Sequence, residues 1–313
     1  MKSTRLLIVF LMILASAESF EVQGHRGTRS LRPDNTIAAC SKAIDGGVTR
    51  LELDILATAD NQIVIHHDFF VNKEFSCYLS GEPITKEVLI RSLTLEEVKK
   101  IDVGTKTNPA FPAQISMPGE QIPTLQELLD FIVHYSHPNA KQVRLNLDLK
   151  RDLRFPEWTL PPEKLADAVV TQVKRSGLAE RVYYSSVDPE ILAAVRKRDA
   201  KAEIAFIFNS QSIDLASILH PEAGFEFILE IASSLQVNIL SPEEDLIKSK
   251  EDVTFMHERG FKVIPWTVNH PRRWKELFDM GVDGMISDDP TGLVYFLEKE
   301  SSSKFKLSAE SFK

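Results

Sequence analysis

Short apolar runs and helix-period stretches alternate along most of the chain. The runs read as strands at Phe20–Gly24, Thr49–Leu56, Val143–Leu149, Val182–Ser186, Glu203–Phe208, Val237–Leu240, Lys262–Val268 and Asp283–Ser287. Between them, apolar positions recur at helical spacing in Thr36–Asp45, Leu125–His134, Glu163–Ser176, Pro189–Arg198, Lys250–Arg259 and Arg272–Met280. Gly46-Gly47, Gly260 and Gly281 follow three of these stretches, where helices commonly stop. Alternation of this kind predicts an α/β fold with parallel strands, and eight strand units predict a (β/α)8 TIM barrel. A doubly wound open sheet is the rival architecture, and the chain carries no Gly-rich dinucleotide fingerprint to support it.

One stretch breaks the alternation. Gln62–His67 follows the second strand after only a few residues, too few for a crossover helix, so it is expected to return antiparallel as a hairpin. A turn centred on Asp60-Asn61 places His67 opposite Asp54; a slip of one residue would put His66 there instead. Residues 69–122 then form a long turn-rich excursion, with a short helix expected at Leu95–Lys100. This reads as an insertion on the barrel, within one domain spanning 18–297. From about 298 the chain is rich in Ser and Lys and reads as a solvated, disordered tail.

Composition narrows the function classes. The 313 residues are 43% hydrophobic, too apolar for a disordered chain, and two cysteines are too few for a disulfide scaffold. A net charge of −8 denies the chain the broad positive field that nucleic-acid binding needs. Lys2 and Arg5, the apolar run Leu6–Ala15 and the Ala15-Ser16-Ala17 stretch have the layout of a cleavable signal peptide over residues 1–17. That run is too short for a stable membrane anchor, so a secreted or periplasmic protein is expected. There is no N-x-[ST] sequon, in keeping with a periplasmic or bacterial setting. Cys40 and Cys77 could pair in such a compartment, although Cys40 in an Ala-rich helix reads better as a small buried hydrophobe. Nothing in the sequence sets an oligomeric state.

Polar residues gather at the ends of the expected strands. Gly24-His25-Arg26-Gly27 follows the first, Glu52-Leu53-Asp54 lies on the second, His67-Asp68 ends its return partner, and Asn146-Leu147-Asp148-Leu149-Lys150 lies on the next. In a parallel barrel these ends meet at one face, where active sites of this architecture sit. Three carboxylates there (Glu52, Asp54 and Asp148) repel one another unless a cation joins them, and oxygen ligands favour Mg²⁺ or Ca²⁺. Arg26 and Lys150 beside such an ion make a seat for a phosphoryl group. His25 and His67 can share base and acid work between attacking and leaving oxygens. Taken singly, each residue has a structural explanation: Glu52-x-Asp54 is a common strand pattern, and Asp148 with Lys150 could be a plain ion pair.

The order of these motifs resembles the glycerophosphodiester phosphodiesterase family. It runs His25-Arg26-Gly27, Pro33-Asp34-Asn35-Thr36, Glu52-x-Asp54, Thr58-x-Asp60 and His67-Asp68. It continues through Ile122-Pro123-Thr124-Leu125, Asn146–Lys150, Trp266-Thr267-Val268-Asn269 and Gly281-Val282-Asp283-Gly284. The resemblance implies a TIM barrel with a small insertion after the His-Asp pair. It implies His25 and His67 as the acid/base pair, one divalent cation on Glu52, Asp54 and the residue at 148, phosphate contacts from Arg26 and Lys150, and Trp266 lining the pocket near the alcohol. The implied reaction is hydrolysis of a small-molecule glycerophosphodiester to glycerol 3-phosphate and an alcohol. A lysophospholipase D-like activity and a catalytically impaired binding protein are the alternatives. Three positions depart from the family pattern: Asp148 stands where glutamate is usual, Asp34 replaces a glutamate, and Ser185-Ser186-Val187 stands where Gln-Ser-Phe is frequent.

Overall fold

The computed structural model describes residues 20–219 and 225–310. The expected signal peptide at 1–17 lies outside the described residues. Eight parallel strands form a nearly closed barrel: β1 (Glu21–Gly24), β2 (Arg50–Ala57), β6 (Arg144–Leu149), β7 (Val182–Ser186), β8 (Glu203–Phe208), β9 (Ile239–Pro242), β10 (Lys262–Val263) and β11 (Gly284–Ser287). Each pairs with its neighbour in chain order, and β11 returns to β1. The remaining seam, between β10 and β11, is closed by single backbone bonds from Asp283 N to Val263 O and from Ile286 N to Pro265 O. Strand pairing was expected to run on to Val268, but regular β10 ends at Val263. Single bonds continue from Ile264 N to Leu240 O, Trp266 N to Pro242 O and Val268 N to Ile286 O, while Pro265 has no N–H to offer on the β11 side.

Helices α1 (Ile37–Asp45), α3 (Leu125–His134), α4 (Pro162–Ser176), α5 (Pro189–Arg198), α8 (Lys250–His257) and α9 (Pro271–Met280) occupy the stretches where helical spacing predicts them. Their starts are chemically marked. Thr124 with Glu127 and Ser249 with Asp252 form capping boxes that satisfy otherwise orphaned backbone donors. Gly281 ends α9 at φ 90°, a left-handed turn that a side chain would strain. Apolar side chains of these helices and the outward faces of the strands form one continuous core.

Three further features depart from the sequence expectation. Between β8 and β9 lie two helices, α6 (Ser210–Leu219) and α7 (Phe225–Ser234), where none was expected. The last helix, α10 (Pro290–Glu310), runs through most of the segment expected from 298 to be a disordered tail. It is docked by the buried Leu293, by Phe296 against Trp274, and by Glu300 near Lys275. The hairpin β2–β3 (Ile63–Ile65) is antiparallel as expected, but Ile55 pairs with Ile65, one residue off the assumed register. The residue facing Asp54 is therefore His66, whose backbone N–H donates to Asp54 O.

The insertion beyond β3 carries the two-stranded ribbon β4 (Cys77–Tyr78) and β5 (Ile101–Asp102) and the short helix α2 (Leu95–Val98). It has its own small apolar core of Val71, Ile84, Ile90, Val98, Ile101 and Ile122, packed on Leu56 and Val64 of the hairpin. Cys40 in α1 and Cys77 in the insertion are both buried free thiols. Among the described residues, no helix is long and apolar enough to cross a membrane.

Candidate active site

Strand register assembles the acidic cluster. Asp54 of β2 pairs directly with Asp148 of β6, and Glu52 pairs with Asn146 two positions earlier. Side chains alternate along a strand, so Leu51, Leu53, Leu145 and Leu147 face the helices while Glu52, Asp54, Asn146 and Asp148 face the barrel interior. One carboxylate oxygen from each of Glu52, Asp54 and Asp148 lies within 4.8 Å of the other two, and all three residues are buried. Two ligands on opposite sides of a Ca²⁺ would be about 4.6–5.2 Å apart, so the spacing suits one shared cation.

Cations and donors surround the cluster. Lys150 Nζ lies 3.3 Å from Asp54 Oδ1 and 3.0 Å from Asp148 Oδ2. Arg26 N donates to Glu52 Oε2 at 3.0 Å, and its guanidinium reaches Asp34 and Asp54 at 3.1 and 3.4 Å. The loop that carries Arg26 is tightly folded: Arg26 sits at φ 51°, and a side chain at Gly24 would collide with the Gly27 carbonyl oxygen. Asn35 clamps Asp54, donating from Nδ2 to Oδ2 at 2.8 Å and accepting from the Asp54 backbone at 3.2 Å.

Burial and the neighbouring carboxylates of Asp54 and Asp148 push Glu52 well above the usual carboxylate range. Burial also raises Asp148, against the pull of Lys150. For Asp54 the upward push of burial is outweighed by the charges of His67, Lys150 and Arg26 and by the Asn35 hydrogen bond, which hold it far below the usual value. Buried acids that resist joint ionisation, offering only oxygen donors, are the arrangement a hard divalent cation relieves. The residues present could therefore hold such an ion.

The two histidines flank this cluster. His25, after β1, places Nε2 3.9 Å from Glu52 Oε2 and Nδ1 2.5 Å from Asp288 Oδ1. Burial lowers its affinity for a proton, against the upward pull of the Asp288 hydrogen bond. His67 is half-buried at the rim, with Nδ1 2.6 Å from Asp68 Oδ1. It borders two spaces. One is an open cleft of about 910 Å³, lined by Lys150 and by the apolar Phe69, Phe70, Val71, Leu153 and Val187 among others. The other is a smaller polar cavity of about 140 Å³ beneath the insertion, lined in part by Arg26, Arg29, Asp34, His66 and Lys106.

Seven of the eight residues singled out from the sequence (His25, Arg26, Glu52, Asp54, His67, Asp148 and Lys150) thus share one end of the barrel. Trp266 also follows a barrel strand, β10; its Nε1 donates to Ser241 O, its ring packs on the inner apolar layer, and it lines neither of the two spaces beside His67. Ser185 and Ser186 are buried and bonded to Asn146 Oδ1 and Leu149 O, leaving Val187 on the cleft wall. Sequence reasoning passed over Asn35, Asn269 and Asp288. The two asparagines stand inside quoted motifs, while Asp288 is marked only by following the last strand.

Comparison with known proteins agrees with this geometry. The family model for the glycerophosphoryl diester phosphodiesterase family matches residues 25–291. A glycerophosphodiester phosphodiesterase of Caldanaerobacter subterraneus is 28% identical over 286 residues, covering 89% of this chain and 98% of the relative. A structure from Silicibacter pomeroyi, assigned by its name to glycerophosphoryl diester phosphodiesterases, superposes with a TM-score of 0.81 at 25% identity, over 91% of this chain and 95% of that one. An Oleispira antarctica phosphodiesterase, solved with its product sn-glycerol-3-phosphate, shares the fold with a TM-score of 0.69 at 22% identity, over 89% of this chain and 96% of that one. With the match running from the His25 loop to the start of the last helix, the chain belongs to the glycerophosphoryl diester phosphodiesterase family, a family of phosphoric diester hydrolases.

Proposed function

We propose that the protein hydrolyses glycerophosphodiesters to sn-glycerol 3-phosphate and an alcohol, using one divalent cation, Mg²⁺ or Ca²⁺. The observation that carries this reading is the carboxylate triad of Glu52, Asp54 and Asp148 lying between His25 and Lys150 at the barrel mouth. These three residues would hold the cation, which when bound polarises the phosphoryl oxygens and offsets their growing negative charge. Arg26 and Lys150 orient the phosphate and stabilise the same charge as the reaction proceeds. The imidazoles of His25 and His67 divide the proton transfers: one takes the proton of the attacking hydroxyl or water, and the other gives a proton to the departing alcohol. Each has Nδ1 against a carboxylate, which leaves Nε2 available for that exchange.

Export to a periplasmic or extracellular space, by way of residues 1–17, is part of the same proposal. A second reading draws on the cleft beside His67. Its Phe69, Phe70, Leu153 and Val187 walls would suit the aliphatic chain of a lysophospholipid, making the activity lysophospholipase D-like. The test is a side-by-side assay of purified protein on glycerophosphocholine and lysophosphatidylcholine, following glycerol 3-phosphate, choline and lysophosphatidic acid. Release of glycerol 3-phosphate with higher kcat/KM on glycerophosphocholine supports the first reading, and the reverse order supports the second. Binding of either diester without turnover, in protein replete with metal, would contradict both.

A further inference from the structure

His25 is gripped from the strand next to its own, which lies at the opposite end of the sequence. Asp288 directly follows β11, the strand that pairs with β1, and the His25 backbone N–H donates to Ser287 O at 2.9 Å. Asp288 Oδ1 meets His25 Nδ1 at 2.5 Å, and its other oxygen accepts from Asn269 Nδ2 at 2.8 Å. Asn269 Oδ1 in turn accepts the Asp288 backbone N–H at 2.9 Å and the Ser287 hydroxyl at 3.3 Å. Both ends of the Asn269 amide are therefore committed, and neither Asp288 oxygen can swing away without losing a bond. Asp288 is only 6% exposed.

We propose that Asp288 and Asn269 are positioning residues that hold the His25 imidazole in a single tautomer and orientation for the reaction. A carboxylate accepts hydrogen bonds and donates none, so the neutral ring must carry its proton on Nδ1. The Nε2 lone pair is then the one presented to the acidic cluster, where Glu52 lies 3.9 Å away. Asp288 takes no proton in the cycle; it fixes which nitrogen exchanges one. Asn269 acts one step further out, by preventing rotation of the Asp288 carboxylate. The corresponding partner of His67, Asp68, is half-exposed, so the buried clamp is particular to His25. This inference rests on His25 being one of the two proton-transfer groups.

Asp288→Asn keeps the size of the side chain but can offer an N–H to Nδ1 and stabilise the wrong tautomer. The expected result is a fall in kcat of about 10²–10⁴-fold with KM changed less than about threefold, in protein of near-wild-type melting temperature. Nitrogen-15 NMR of ring-labelled protein is expected to give His25 as the Nδ1–H tautomer in the wild type and to lose that signature in the variant. Asn269→Ala, which leaves the His25–Asp288 pair in place, is expected to lower kcat by about tenfold with the same unchanged KM, and supplies the test if Asp288→Asn does not fold. An unchanged tautomer and a kcat within threefold of wild type in the folded variant would overturn the proposal. If His25→Ala loses turnover while Asp288→Asn keeps it, the positioning claim alone fails. A fully active His25→Ala would instead remove His25 from the reaction and take this claim with it.

Discussion

Asp148 shows how far one side chain can be read before its surroundings are known. Aspartate is a methylene shorter than the glutamate usual in the family, yet its register partner is Asp54 and its oxygen joins the cluster within 4.8 Å. Asp148→Asn is expected to weaken Ca²⁺ or Mg²⁺ binding by at least about tenfold, measured by calorimetry, because a charged oxygen ligand is lost. His25→Ala and His67→Ala are each expected to lower kcat by about 10²-fold or more with the circular dichroism spectrum unchanged. A variant that keeps near-wild-type turnover would remove that histidine from the chemistry. Seven site residues were legible in the sequence because short motifs place them at strand ends. Asp288 was not, because the contact that gives it meaning is to a residue 263 positions earlier. Trp266 was legible as a strand-end aromatic, but its side chain turns into the barrel layer once Nε1 finds Ser241 O.

At the level of elements, alternation located the eight strands and six of the helices that cover them. The hairpin register was missed by one residue because a two-residue turn was assumed. The turn instead uses Thr58, whose N–H donates to Gln62 O and whose hydroxyl accepts from Gln62 N, with Asn61 at φ 61°. His67 borders the site all the same, since the ladder ends at Ile65 and the chain bends from His67 onward. Helix α6 has little periodic contrast, whereas α7 does have an apolar face of Ile228, Leu229 and Ala232 opposite the exposed Glu226 and Glu230, and its spacing was overlooked. One acid ties together two turns of the insertion. Asp102 accepts from the backbone N–H groups of Gly104, Thr105 and Gly119, each at 2.8 Å, and from the Thr105 hydroxyl at 2.7 Å. Burial pushes this carboxyl up, but those hydrogen bonds together hold it below the usual aspartate range. Its stabilisation is thus present above the unfolded-state pKa and is lost as pH falls through the lower folded-state value. Asp102→Asn is expected to cost about 1–3 kcal/mol at pH 7. The difference in melting temperature between variant and wild type should shrink as the pH is taken below the aspartate range. A gap that persists unchanged in acid would mean that the carboxylate charge is not what holds the turn.

Across the whole molecule, polarity is divided by position in the barrel. On one side of the interior, Gln23, Arg50, Asn146 and Tyr183 form a buried hydrogen-bonded layer below the acids, with Arg50 paired to Glu21 and stacked 4.1 Å over Tyr183. On the other side, Ala205, Ile239, Ile264 and Ile286 fill the interior with apolar groups. Polar layers of this kind rigidify a core only when every member is bonded, and here they support the strands that carry Glu52, Asp54 and Asp148. The proposed chemistry stands on those three acids sharing one dication. The most direct test is the initial rate of glycerophosphocholine hydrolysis after exhaustive chelation, followed by titration with Mg²⁺ or Ca²⁺. The account predicts negligible turnover in chelator and saturable recovery of glycerol 3-phosphate release as either ion is restored. Full turnover in the chelated protein would contradict it.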